Sequence, residues 1–191
     1  MQKIYRSTSF ALVGIACLFL VGCAGPAPSY APSIDNVETL KKSGAGKVTV
    51  TDITPTETLQ GASAIQLRAA SMQTPVGKNY GDYIAAALRT ELEMAKLYAP
   101  QSSTSISGIL LKNNIDAGGF STNEGQLEAR FTVKREGQVR FEKTKSIVHK
   151  WEGAFAGAVA IPLAANNYPI MVQKLIDALV SDPDFIQSLK N

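Results

Sequence analysis

Few side chains in this sequence of 191 residues could act as a nucleophile or a general base near neutral pH. It contains one histidine, His149, and two cysteines, Cys17 and Cys23. Histidine has the ordinary pKa closest to neutrality, which makes His149 the first candidate for proton transfer. A hydrolase could pair it with Ser146 or a distant serine, but no Gly-x-Ser-x-Gly turn occurs. One histidine also cannot form a multi-histidine metal site, so the sequence favours a structural role for His149.

Pairs of carboxylates could catalyse glycoside hydrolysis if their surroundings separated the two pKa values. Glu91 and Glu93 are two residues apart in a segment with helical periodicity, so they face apart. Asp182 and Asp184 flank a proline at a predicted helix boundary, where helix capping explains them. Neither pair predicts a catalytic site, and carboxylates that are distant in sequence remain the only acidic candidates.

Two glycine-containing segments could hold a phosphate or a metal ion, but neither has the required ligands. Residues 44–47 lack the spacing of a phosphate-binding loop, and Val48 stands where that loop needs serine or threonine. Residues 116–119 lack the repeated oxygen ligands of a calcium loop. We therefore expect neither a metal ion nor another cofactor.

The N-terminus combines positive charge with a short apolar run that ends in a cysteine. Lys3 and Arg6 precede residues 10–22, which are all apolar or glycine. This run is shorter than the roughly 20 residues that a membrane-spanning helix needs, and it predicts a removable signal peptide. It ends in Leu20-Val21-Gly22-Cys23, which resembles the lipobox of bacterial lipoproteins.

The lipobox resemblance implies cleavage after Gly22 and attachment of lipid to Cys23. A diacylglyceryl group needs a thiol, and the peptidase that cuts next to it needs a small residue. Ala24 is not the aspartate that retains many such proteins in the inner membrane. In a Gram-negative host, the resemblance therefore implies an outer-membrane protein that faces the periplasm and is anchored by lipid in that membrane.

The composition of the mature chain excludes several other roles. Of the 19 basic side chains, Lys3 and Arg6 leave with the signal peptide, and the rest nearly balance the 16 acidic ones. We find no basic patch interleaved with aromatic residues and expect no nucleic-acid binding. Because Cys17 is removed and Cys23 carries lipid, no disulfide is expected, and the fold depends on its apolar core.

The mature chain divides into a tether and one domain. Residues 23–43 hold the lipidated cysteine and a stretch rich in proline, alanine and serine, which predicts a disordered or extended tether. Such a linker has a reach of about 25 Å. Residues 44–191 are long enough for a single periplasmic domain with a sizeable core.

Hydrophobic periodicity predicts the elements of this domain. Two-residue alternation predicts strands over residues 47–53, 65–69, 103–113, 125–134 and 139–151. Spacing of three and four residues predicts one helix over residues 79–98 and another that follows Asn167-Tyr168-Pro169 and ends before Ser181. A short turn should follow over residues 184–189. This order predicts an α+β fold, a small sandwich with two helices packed on one face of a mainly antiparallel sheet.

Four features of the sequence are similar to the uncharacterised YajG-type lipoprotein family. They are the lipobox at Cys23, the apolar helix after a segment with glycine and tyrosine, Gly153-Ala154-Phe155 after the last strand, and residues 181–185. The resemblance implies fold and location. It implies no catalytic residue, because the family has no assigned chemistry.

The segment from Trp151 to residue 165 combines large apolar side chains with glycine and alanine, and it has no charge after Glu152. It fits either a buried connection between strand and helix or a docking loop for a protein or lipid. The candidate docking residues are Trp151, Phe155, Val159, Ile161 and Leu163.

The sequence leaves two functions open. The leading hypothesis is a noncatalytic binding or assembly module of the cell envelope, with an envelope protein as partner or an auxiliary role in transport. The alternative is an enzyme that acts on cell wall or glycan through carboxylates that are distant in sequence.

Overall fold

The computed structural model describes residues 24–190, so the predicted signal peptide and the Cys23 lipidation site lie outside the described residues. The strands are β1 (Ala24–Pro26), β2 (Thr49–Pro55), β3 (Ala64–Leu67), β4 (Ala70–Gln73), β5 (Thr104–Asp116), β6 (Thr122–Arg135) and β7 (Gln138–Glu152). The helices are α1 (Ile34–Lys42), α2 (Tyr80–Met94), α3 (Gly157–Val180) and α4 (Pro183–Leu189). No helix in this range is long and apolar enough to cross a membrane.

The main sheet has four strands in the order β2-β5-β6-β7. β2 runs parallel to β5, and the other two pairs are antiparallel. The alternation in β6 is confirmed, because Leu127, Ala129, Phe131 and Val133 are fully buried. With helices against the sheet, the fold is α+β and mainly antiparallel, as the sequence predicted.

The hairpin of β6 and β7 departs from the predicted pattern at its tip. Phe141 lies opposite Val133 and is buried, but the pairing shifts by one residue beyond that point. Val139, which two-residue alternation would place on the apolar face with Phe141, lies opposite Lys134 and is exposed. A one-residue shift moves a side chain to the other face of a strand.

A second, small sheet has the order β1-β4-β3. β3 and β4 form an antiparallel hairpin in place of the single predicted strand. Its turn includes Arg68, whose φ of 55° lies in the left-handed region. β1 pairs in parallel with β4, with Ala24 opposite Ser71 and Pro26 opposite Gln73.

Helix α3 begins at Gly157, well before the start that the sequence predicted at Asn167-Tyr168-Pro169. The sequence analysis placed residues 151–165 before the helix, either as a buried connection or as a docking loop. That placement is wrong for residues 157–165, which are helical, and the docking role stays a prediction. Pro162 and Pro169 both lie inside the helix. Alanine-rich sequence has high helix propensity, and burial of the α3 stripe from Met171 to Val180 stabilises the helix despite the lost backbone donors.

The N-terminal segment is folded, which differs from the predicted disordered or extended tether over residues 23–43. The Ser33 side chain caps α1, and Val37 and Leu40 are buried in the core. Fully buried Glu91 of α2 accepts hydrogen bonds from the Tyr30 hydroxyl, the Ser33 backbone N–H and the Asn36 side-chain amide. These contacts involve residues far apart in sequence, so the composition of residues 24–43 could not predict them.

Two further hydrogen bonds fix the same segment to the helices. The Tyr83 hydroxyl donates to the Pro28 carbonyl at 2.9 Å, and the Gln173 side chain donates to the Ala31 carbonyl at 2.7 Å. Burial raises the pKa of Glu91, although the hydrogen bonds from Tyr30 and its neighbours act in the opposite direction. The chain is therefore held against the domain from Ala24 onward, without the reach of about 25 Å of a free linker.

Candidate functional site

Four large apolar side chains are exposed at one end of the domain, where β7 leads into α3. Phe120 is 68% exposed, Phe155 80%, Val159 50% and Leu163 37%. We call these four residues the apolar end. An exposed cluster of this kind is typical of a contact surface, since single exposed apolar side chains are common but grouped ones are not.

The structure brings together three of the five predicted docking residues. Phe155, Val159 and Leu163 belong to the apolar end, but Trp151 and Ile161 are only partly exposed and pack against the hydrophobic core. Because residues 157–165 are helical, side chains there point in different directions. The sequence analysis missed Phe120. Antiparallel pairing of β5, β6 and β7 was the available signal, because it places the β5–β6 loop beside the β7–α3 loop.

The two phenylalanine rings lie in contact across those two loops. Their centroids are 5.3 Å apart, and the ring planes are tilted by 52°. The Gly153 N–H donates to the Ser121 carbonyl at 2.9 Å, which holds the loops together. A Cβ atom at Gly153 would lie 2.6 Å from the Gly119 carbonyl oxygen, so this close approach requires glycine.

Arg68 of the β3–β4 turn fixes both loops through their backbone. Its guanidinium donates to the carbonyl oxygens of Ala117 at 2.6 Å, Gly119 at 3.3 Å, Ala154 at 2.7 Å and Phe155 at 2.9 Å. A planar guanidinium with five N–H donors can bind several acceptors at once in a fixed geometry. The apolar end is therefore held in one arrangement rather than carried on a free loop.

The first half of α3 extends this surface. Its exposed positions are uncharged, and all but one are apolar: Ala158, Val159, Pro162, Leu163, Asn166 and Ile170. The chain has no charged residue between Glu152 and Lys174. A helix on the surface of a globular protein normally turns charged and polar residues to solvent, and the second half of α3 does so with Lys174 and Asp177.

The N-terminal strand lies beside the apolar end. Gly25 and Pro26 of β1 share a small cavity of about 100 Å³ with Ile161 and Ala165 of α3. Ala24 lies opposite Ser71, three residues from Arg68. The described chain therefore begins next to the turn that holds the two phenylalanine loops.

His149 contacts side chains of α3. Its Nε2 lies 2.8 Å from Asn167 Oδ1, and its Nδ1 lies 2.8 Å from Lys174 Nζ. The ring centroid is 5.7 Å from that of Trp151. Because the ammonium of Lys174 only donates, this arrangement fits Nδ1 as the acceptor from Lys174 and Nε2 as the donor to Asn167. These contacts join β7 to α3.

Asp182, one of the two carboxylates that flank Pro183 at the start of α4, also has structural partners. Asp182 caps α4 by accepting from the Asp184 N–H at 2.8 Å, and its carboxylate binds Lys145 at 2.6 Å and Lys143 at 3.0 Å. Burial alone would raise the pKa of Asp182, but the hydrogen bonds from Lys145, Lys143 and the Asp184 backbone lower it overall. Within residues 24–190, no group of three or more His, Cys, Asp and Glu side chains could hold a metal ion.

An open cleft of about 660 Å³ lies between the tip of the β6–β7 hairpin and α4. Its acidic residues are Glu142 and Asp184, and its basic residues include Arg140 and Lys143. Lys143 binds Asp184 at 2.7 Å. The cleft is at the opposite end of β7 from the apolar end.

Comparisons with known proteins show a likeness of fold. No family model matches the chain, and no curated protein matches its sequence. The structure is similar to protein XCC0632 from Xanthomonas campestris, described with the family DUF330, with a TM-score of 0.54 and 11% identity. That likeness covers 86% of this chain and 92% of the other. The hypothetical protein CT253 from Chlamydia trachomatis matches with a TM-score of 0.42 and 10% identity, over 72% of this chain and 94% of the other.

Proposed function

We propose that this protein is a noncatalytic binding or assembly module of the cell envelope, anchored through lipid on Cys23 in the outer membrane and facing the periplasm. The observation that carries the proposal is the apolar end. It is exposed, it adjoins a charge-free helix face, and Arg68 holds its two phenylalanine loops in place.

A fixed apolar surface is suited to binding. Exposure of grouped apolar side chains is unfavourable in water and is relieved when a binding partner covers them. Binding also costs less entropy when the contact residues are already ordered. The four hydrogen bonds from Arg68 provide that order before any partner arrives.

The proposed anchor fits this role. Each buried methylene stabilises membrane attachment by about 0.8 kcal/mol, so two or three acyl chains make release negligible. The lipobox at Cys23 and the YajG-type resemblance support this location, and an auxiliary role in transport is a variant of the same proposal. The protein partner would be another component of the envelope.

The alternative, a glycan-acting enzyme, needs two carboxylates that face each other across a cleft. Glu91 is covered by the N-terminal segment, and Asp182 is bound by two lysines. Because these contacts already occupy Glu91 and Asp182, they favour the binding module over the enzyme.

The test is chemical crosslinking in living cells, followed by mass spectrometry of the recovered protein. We expect a reproducible envelope protein that is lost in Cys23→Ala, which removes the thiol for lipid attachment. Cys17→Ala is the matched control, because it changes a cysteine of the signal segment and leaves Cys23 in place. Recovery of glycan fragments alone, or of the same partner with Cys23→Ala, would contradict the proposal.

A further inference from the structure

We propose that the apolar end is a second membrane contact: Phe120, Phe155, Val159 and Leu163 enter the interface of the same bilayer that holds the acyl chains on Cys23. This inference rests on the proposed function through the lipid anchor. It adds the occupant of the docking surface and the orientation of the domain.

The position of the N-terminus supports a lipid occupant. Cys23 is one peptide bond before Ala24, whose backbone pairs with Ser71 of β4. Neighbouring strands lie about 4.8 Å apart, and three residues of strand span roughly 10 Å. Ser71 is three residues from Arg68, which binds the Phe155 carbonyl. The chain therefore leads to the proposed anchor at the same end of the domain at which Phe155 is exposed.

The short link between anchor and domain makes contact with the bilayer favourable. The hydrogen bonds that Tyr30, Ser33 and Asn36 make with Glu91 hold the segment after β1 on the domain. A surface joined to its ligand by a very short connection meets that ligand at a high effective concentration. The bilayer is therefore the first large apolar phase that the apolar end would meet.

The chemistry of the surface also fits a bilayer interface. Helices that lie in the interface bury an apolar face to a depth of several Å, and they bind the membrane more strongly as the buried apolar area increases. The exposed positions of α3 from Ala158 to Ile170 are uncharged, all but Asn166 are apolar, and the two phenyl rings extend the same surface. The first charged residue on the exposed side of α3 is Lys174, which lies farther from the apolar end.

This contact would set the orientation of the domain. β7 runs from Val139 at the hairpin tip to Glu152 beside the apolar end, roughly 40 Å at about 3.3 Å per residue. With the apolar end on the membrane, the hairpin tip projects into the periplasm. The tip and the open cleft beside it would then be accessible to a protein partner.

The experiment uses mature lipidated protein reconstituted in vesicles of phosphatidylethanolamine and phosphatidylglycerol. Val159→Cys and Val139→Cys are a matched pair, because the two valines are 50% and 55% exposed and lie at opposite ends of the domain. Each variant has one free thiol when Cys17 is removed and Cys23 carries lipid. The thiol receives an environment-sensitive fluorophore, and its quenching by brominated lipid is measured.

We expect the probe at Val159 to shift to a shorter emission wavelength and to be quenched several-fold more strongly than the probe at Val139. Replacing Phe120 and Phe155 together by serine should reduce that quenching. Equal quenching of both probes on protein that floats with the vesicles would overturn the membrane contact and leave the anchor intact. A shielded Val159 probe without lipid quenching would overturn it too and assign the surface to a second copy of the protein. Failure to float would overturn the proposed anchor itself.

Discussion

Replacing Arg68 by alanine should loosen the apolar end and destabilise the domain. The substitution removes four hydrogen bonds to backbone carbonyls in two loops. A buried hydrogen bond to a charged group contributes about 1.5 to 3 kcal/mol, and partly exposed carbonyls recover much of this from water. Counting about 0.5 to 1 kcal/mol for each bond predicts a loss of about 2 to 4 kcal/mol in the free energy of unfolding.

The variant Arg68→Gly distinguishes the effect of losing the guanidinium from the effect of the left-handed backbone conformation. Arg68 has a φ of 55°, a region that costs a residue with a Cβ atom about 1 kcal/mol or more and that glycine adopts freely. Arg68→Gly should therefore be about 1 kcal/mol more stable than Arg68→Ala, although it lacks the same hydrogen bonds. Urea unfolding measures both values, and Arg140→Ala, at an exposed arginine near the hairpin tip, controls for loss of charge.

Hydrogen exchange shows where the loosening occurs. In Arg68→Ala, exchange of the Gly153 amide, which donates to the Ser121 carbonyl, should become faster, while amides in the centre of β6 keep their protection. The reasoning would be refuted if Arg68→Ala unfolded within about 0.5 kcal/mol of the unmodified protein, the usual range for neutral surface changes, with unchanged exchange in both loops.

Three further predictions concern the core and the helix caps. The raised pKa of Glu91 means that its contribution to stability declines as pH rises from about 4 through its folded pKa, so Glu91→Gln should flatten that decline in urea titrations at several pH values. The lowered pKa of Asp182 has the opposite sign, with stability lost below about pH 4. Asp182→Asn, which keeps the cap, should remove that acid sensitivity and cost about 1 kcal/mol at neutral pH, whereas an unchanged acid profile would contradict its ion pairs. Gly81→Ala places a Cβ atom against the backbone carbonyl oxygen of Ile53, closer than van der Waals contact allows, and should cost about 1 to 3 kcal/mol by thermal unfolding, whereas Gly157→Ala meets open space and should not destabilise.

The sequence predicted the elements whose hydrophobic period is local and regular. Alternation from Leu127 to Val133 identified β6 and its buried face, and helical spacing identified α2. Asn79 and Asp82 form a capping box that fixes the start of α2. These assignments depend on residues within one or two turns of each other, which a single sequence displays directly.

The N-terminal segment could not be predicted in this way. Its proline-rich composition is typical of a tether, yet Tyr30, Ser33 and Asn36 all bind Glu91, more than fifty residues later in the chain. Only the second half of helix α3 was predicted, because Asn167-Tyr168-Pro169 indicated a helix start there, although the alanines before it also favour a helix.

The candidate site was found in part. The charge-free stretch after Glu152 drew attention to Phe155, Val159 and Leu163, which the structure places together on the surface. Phe120 and Arg68 lie on other loops, and only strand pairing brings them to the same end. The site is built from the β3–β4 turn, the β5–β6 loop and the β7–α3 loop, which are far apart in the chain. It therefore has no short motif in the sequence.

The lipid anchor is the claim on which the proposed function and the orientation of the domain both depend. Mass spectrometry of the protein extracted from membranes tests it most directly. The account predicts a mature chain whose N-terminal peptide begins at Cys23 and carries the mass of a diacylglyceryl group. An N-terminal peptide that retains residues 1–22, or one with an unmodified Cys23, would contradict it.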